Sequence, residues 1–315
     1  MSWPPAATLL SPAATLLSYV ARVKLLLDVA VPAVVMFALF AIGLELAPAN
    51  FVEVRRRPRV VLAGLLVPLL TLPLIAVALV VVFQPSPAAQ AGLLLIAACP
   101  IGGISNTYSY LAGASVALSV ALTALSSLVS VVSVPLLGQL FSVVLRQPAA
   151  YDVPVPLIVI QLLVMLAMPV GAGMLARARW PGVAARWHDR LRRAVFVALG
   201  LLIGLVVGAQ FELLAAEVWQ TVPLAVGFVV LSFAVGWTVA SLLGTSANDR
   251  FTLATEFATR NVAVATAMAV TLAGRLEFAV FGTIYFLTEL PMMLGAAAVF
   301  KRQHVPADAG GFRRN

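Results

Sequence analysis

The sequence predicts an all-α polytopic membrane protein, a single transmembrane domain over residues 1–315 with nine spans and a possible tenth at its N-terminus. Three observations carry that prediction. First, 62% of the 315 residues are hydrophobic and 10% are charged, against about 25% charged in a soluble domain. Second, the apolar residues fall in runs near the 20 or so that a helix needs to cross a bilayer. Third, the net charge of +8 is concentrated in short connectors between those runs. That placement argues against a nucleic-acid partner, which a basic chain otherwise invites.

The runs lie near 29–48, 60–83, 91–112, 116–145, 154–176, 194–214, 221–244, 251–273 and 278–300. Residues 1–28 contain the hexapeptide AATLLS twice, with Pro4, Pro5 and Pro12 weakening a helix. They read as a degenerate tenth span or, preferably, an interfacial helix. A secretory signal is disfavoured because Arg22 and Lys24 follow the apolar part instead of preceding it.

Alternate connectors are basic, and this sets the orientation. Arg55, Arg56, Arg57 and Arg59 lie inside, and the uncharged connector at Gln84 lies outside. The basic connector 177–193 is inside, Glu212 and Glu217 are outside, and Arg250 and the tail 303–315 are inside. Only Arg146 and Arg275 oppose the pattern among the later connectors. A cell (inner) membrane protein with a cytoplasmic C-terminus is expected. Trp180, Trp187 and Trp219 sit at span ends as interfacial anchors.

Two spans are unusual. In the third, Cys99-Pro100 is followed by Gly102, Gly103, Ser105 and Asn106. Proline and paired glycines interrupt a helix, and the freed backbone needs protein or a cavity to satisfy it. The eighth holds Thr252, Thr255, Glu256, Thr259, Arg260 and Asn261. Two opposite charges four residues apart inside an apolar run are rare, because each costs roughly 2.5–3.5 kcal/mol on insertion scales. Laying 60–145 over 221–300 brings the unusual spans into correspondence. An inverted repeat with two discontinuous helices crossing near the midplane is expected.

Three segments carry a family resemblance. Residues 97–128 read AACPIGGISNTYSYLAGASVALSVALTALSSL, residues 255–270 read TEFATRNVAVATAMAV, and residues 36–51 read MFALFAIGLELAPANF. In this order and spacing they resemble the bile acid:sodium symporter family. The resemblance covers nearly the whole chain from about residue 29. It implies a core and a panel domain, and sodium-coupled symport of a small organic anion by alternating access. The substrate would be bile-acid-like or a carboxylate metabolite.

Carried over by position, the resemblance assigns one sodium ion to Ser105, Asn106, Ser119, Thr123 and Glu256. Ser119 and Thr123 are four apart and share a helical face, and their oxygens suit a hard cation. Taken alone, that pair serves helix packing equally well. The resemblance places Asn261 near the substrate, where it either binds substrate or stabilises backbone.

The chain departs from the family pattern at a second sodium site. Pro68 and Arg260 stand where glutamines are expected. A guanidinium offers only donors. Arg260 therefore either replaces the second cation or contacts the anion. Glu289, in TELPMMLG, is a further candidate as a partner of Arg260, a proton-coupling group or a vestibule residue.

The alternative reading is a proton-coupled or efflux carrier of the related arsenite or auxin type. The sequence has no HExxH, no Ser–His pair and no intramembrane histidine, so an enzyme is not expected. The single Cys99 excludes an internal disulfide and is expected to pack rather than react.

Overall fold

The computed structural model describes residues 29–30, 32–44, 52, 55–144, 155–209, 211–271 and 277–304. The N-terminal segment 1–28, the loop led by Phe51, Arg146, Arg275 and the tail beyond His304 lie outside them.

The described chain is helical. It begins with α1 (Pro32–Leu44), α2 (Pro58–Phe83), α3 (Pro87–Ala98), α4 (Ser105–Ala112) and α5 (Val116–Val144). Next come α6 (Val155–Leu162), a π-helical turn (Leu163–Ala167) and α7 (Met168–Arg179). The rest is α8 (Pro181–Ala209), α9 (Phe211–Leu242), α10 (Ala247–Ala258), α11 (Val262–Thr271) and α12 (Glu277–His304). Each apolar run predicted from sequence overlaps one of these helices or a pair of consecutive ones. Four described helices meet the length and hydropathy of a span: 58–83, 116–141, 214–242 and 278–304.

Two boundaries differ from the sequence reading. The connector 177–193 is mostly helix, because α8 starts at Pro181. Proline fits the first turn, where its missing N–H is not needed. Similarly, Glu212 and Glu217 lie within α9. In both cases the helix continues past its apolar run on polar residues.

Helix α2 shows how the chain divides lipid from core. Leu62, Leu66, Leu70 and Leu74 form an exposed stripe, whereas Val61, Gly64, Pro68 and Leu72 are buried. Four-residue spacing keeps the exposed leucines on one face, suited to acyl chains. The buried faces of α2, α3, α5, α9 and α12 enclose an apolar core that includes Leu93, Leu94, Ile96, Phe228 and Phe281.

Serine caps start both α3 and α10. Ser86 Oγ accepts the Ala89 N–H at 3.2 Å, and Ser246 Oγ accepts the Asp249 N–H at 3.2 Å. Each cap is also tied to an earlier or later helix. Ser86 donates to Glu217 on α9 at 2.8 Å. Ser246 donates to Asp249, which is ion-paired with Arg57 at the start of α2 and bonded to Ser115 before α5.

Helices α1 and α7 meet through glycine. A methyl group at Gly173 would lie 2.2 Å from the Phe40 carbonyl oxygen, and one at Gly43 would lie 2.2 Å from that of Val170. Close backbone approach at small residues is a common packing device between membrane helices. Gly173→Val is expected to lower stability by about 3 kcal/mol, read as a drop in unfolding temperature. Unfolding at the wild-type temperature would show that the close approach contributes nothing.

Candidate functional site

Both unusual spans are broken, the first at the predicted proline-glycine interruption and the second after Ala258, where no break was located from sequence, and the breaks bind each other. Helix α3 ends at Cys99 because Pro100 has no N–H to continue the ladder. Helix α10 ends at Thr259 in extended backbone with no proline or glycine present. The segments pair as an antiparallel bridge between Ile101 and Arg260. The Gly102 N–H donates to the Thr259 carbonyl at 3.1 Å, and the Asn261 N–H to the Pro100 carbonyl at 2.9 Å. A Cβ on Gly102 would lie 2.7 Å from the Arg260 carbonyl oxygen, so only glycine permits this approach.

Neighbouring helices satisfy the remaining freed groups. Ser126 on α5 accepts the Ile101 N–H at 3.1 Å. Tyr285 on α12 accepts the Arg260 N–H at 3.3 Å and donates to the Ala258 carbonyl. The Asn261 side chain accepts the Val264 N–H at 3.1 Å and so caps α11.

Beside this crossing, five side chains from three helices converge. Ser119 Oγ lies 2.8 Å from Asn106 Oδ1 and also hydrogen-bonds Glu256 Oε1. Thr123 Oγ1 is 3.3 Å from both Asn106 Oδ1 and Glu256 Oε2, and 3.4 Å from Ser105 Oγ. All five are buried. The three hydroxyls supply three protons to an oxygen-rich group that also contains a carboxylate and an amide oxygen. Lone pairs are in excess, and such a donor set suits a hard monovalent cation. The structure thus brings together the five residues assigned to sodium by resemblance.

Arg260 is placed differently. Its guanidinium is buried and donates through Nη2 to the Cys99 carbonyl at the end of α3. Among the described residues, Nε and Nη1 have no protein partner. Glu256 and Arg260 are both buried, yet they form no direct ion pair. The helix ends between them, so the i, i+4 relation that would put them on one face is lost. Arg260 borders a small cavity of about 20 Å³ with Pro68, Ser126, Ser130 and Ser133.

Glu289 is also buried, and it does not bond Arg260. It accepts from Thr259 Oγ1 at 2.8 Å and from Tyr108 Oη at 3.2 Å, joining α12 to the second break and to α4. Cys99 is a buried free thiol.

A larger cavity of about 310 Å³ lies between this crossing and helices α1, α7 and α8. Asn106, Arg260 and Asn261 contribute to its crossing side, and Val35, Leu39, Ile42 and Val120 to its aliphatic wall. Asn106 therefore belongs to both the oxygen cluster and the cavity.

Sequence reasoning missed Ser126, Tyr285, Tyr108 and Arg177. Ser126 was accessible through periodicity. Ser119, Thr123, Ser126, Ser127, Ser130 and Ser133 recur at helical spacing along α5. Tyr108 follows Ser105, Asn106 and Thr107 in a run already marked as polar, and Tyr285 lies one helical turn before Glu289, so both were within reach of the same signal.

Residues 32–220, well over half the chain, match the model of the Sodium Bile acid symporter family. The chain belongs to that family. It is thus an integral membrane protein of a transporter family, not an enzyme. It is similar to the "Sodium-dependent organic anion transporter" of Bos taurus, with 28% identity over 66% of this chain and 54% of the relative. It is also similar to the "Probable sodium/metabolite cotransporter BASS2, chloroplastic" of Oryza sativa subsp. japonica, with 27% identity over 65% of this chain and 48% of the relative. The Homo sapiens "Sodium/bile acid cotransporter 4" is 27% identical over 77% of this chain and 56% of its own length. The chain spans about half the length of these relatives. The family match covers Ser105, Asn106, Ser119 and Thr123 and ends before Glu256, Arg260 and Asn261.

Proposed function

We propose that the protein is a secondary transporter that couples one sodium ion to a small organic anion by alternating access. The observation that carries this reading is the buried oxygen cluster of Ser105, Asn106, Ser119, Thr123 and Glu256. It adjoins the 310 Å³ cavity through Asn106. Sodium held there orders Asn106, and Asn106 forms part of the anion's cavity. Cation binding thereby favours anion binding, which is the reciprocal linkage a symporter needs.

Nine spans in a single transmembrane domain fit the helices, with α2–α5 and α9–α12 as inversely related repeats. The serine caps on α3 and α10 support that relation. In this reading α2–α5 and α9–α12 form the core, and α1 with α6–α8 forms the panel. The charge pattern puts the Arg177 end of the cavity on the cytoplasmic side of the cell membrane, together with the C-terminus, so this conformation faces inward. Broken helices offer N-termini to anions and C-terminal carbonyls to cations. Asn261 and the start of α11 flank the substrate. Arg260 takes the cation's place at the carbonyl end of α3, which leaves one exchangeable ion. This favours its role as a fixed charge over direct contact with the anion.

Counterflow of labelled anion in proteoliposomes tests the carrier reading. Sodium-dependent exchange is expected with a Hill coefficient near one. A coefficient near two would reject the single-ion scheme, and absence of exchange would reject the carrier. Proton coupling is the second reading, favoured by the buried Glu289 bonded to Tyr108 and Thr259. It requires a pH gradient alone to drive uptake without sodium.

A further inference from the structure

Arg177 lies in the last turn of α7, the helix locked against α1 by Gly43 and Gly173. Its Nη1 donates to the Leu44 carbonyl at 2.7 Å. That bond satisfies the C-terminal end of α1 and fixes the guanidinium. Among the described residues no other protein acceptor meets it, and Arg177 lines the 310 Å³ cavity.

Among the described residues that line this cavity, only Arg177 and Arg260 carry charge. Among the described residues no carboxylate accompanies them. The Arg260 guanidinium is committed to the Cys99 carbonyl and borders the 20 Å³ cavity, which has space for little more than one water. Arg260 keeps Nε and Nη1 unpartnered but is buried at the crossing, whereas Arg177 is half-buried across the ligand-sized space, with donors left beyond the Leu44 bond.

We propose that Arg177 recognises the carboxylate of the transported anion and sets its orientation. The charged group meets the guanidinium fork, which matches two carboxylate oxygens. The body lies on Val35, Leu39, Ile42, Val120 and Val195. These side chains select a branched or alicyclic hydrocarbon and leave its far end near Asn106 and Asn261. Such a ligand bridges α7 and the crossing, so its binding reports the relative position of the two.

This assignment rests on the carrier reading. The test uses the purified full chain in sodium with cholate and pantoate, each compared with its uncharged methyl ester, in thermal-shift titrations. The wild type is expected to bind at least one acid at least tenfold more tightly than its ester. Arg177→Gln is expected to weaken acid binding roughly ten- to hundredfold, with ester and sodium affinities unchanged. Arg177→Lys should recover part of the preference. A merely structural role would weaken acid and ester together, and that result overturns the assignment. So does an unaltered acid preference in Arg177→Gln.

If neither acid stabilises the wild type, the organic-anion reading fails and this assignment fails with it. A variant that does not fold is replaced by a wild-type measurement. Phenylglyoxal modification of Arg177, followed by peptide mass mapping, should slow with acid and not with ester. Unslowed modification overturns the assignment.

Discussion

Replacing Glu256 with glutamine is expected to abolish sodium-stimulated transport while leaving the sodium-free protein at least as stable as the wild type. Both halves follow from burial. Glu256 supplies the only formal negative charge in the oxygen cluster, and its two oxygens face Ser119 and Thr123. Glutamine keeps the shape and one carbonyl acceptor but removes the charge that balances the ion. Losing one partner of a desolvated charge pair weakens binding on the order of a hundredfold or more. Without sodium, the wild type holds a carboxylate away from water with no direct cationic partner among the described residues, an arrangement that opposes folding. Glutamine removes that penalty. Thermal unfolding with and without sodium reads both effects, since a ligand of the native state raises its apparent stability. A sodium-dependent shift that persists in Glu256→Gln would place the ion elsewhere.

Arg260→Gln is expected to act in the opposite sense on sodium and to weaken the fold. The guanidinium is a fixed positive charge near the cation site, so its loss should tighten sodium binding roughly tenfold if the effective dielectric constant is near 20. The same change removes the donor to the Cys99 carbonyl at the end of α3. An unsatisfied buried carbonyl costs about 1–3 kcal/mol, and sodium-free unfolding should move by that amount. Weaker sodium binding in the variant would mean that Arg260 supports the ion site instead of opposing it. Unchanged stability would mean that the carbonyl has another donor.

The legibility of the site depends on how local each signal is. Pro100, Gly102 and Gly103 announce the first interruption, because backbone chemistry acts within a few residues. The second interruption has no such marker. It exists because the Pro100 carbonyl and the Gly102 amide offer Thr259 and Asn261 an alternative to helical bonds, and that partner is remote in sequence. The polar density around Glu256 signalled an unusual span, but not that the break would separate Glu256 from Arg260. Arg177 was hidden for another reason. Its position in a basic connector marked it only as part of the charge pattern that sets orientation, whereas the Leu44 carbonyl holds it in the wall of a cavity. Span ends were least legible, because hydropathy marks where lipid stops and helices continue into the interface.

The crossing also constrains the order in which the chain matures. Cys99 and Arg260 are 161 residues apart. At about 5–20 residues per second, the ribosome delivers the second break roughly 10–30 s after the first. During that interval the Pro100 carbonyl and the Gly102 amide await their mates, and hydrocarbon offers none. The N-terminal half therefore needs shelter, from the insertion machinery or from trapped water, until its counterpart arrives.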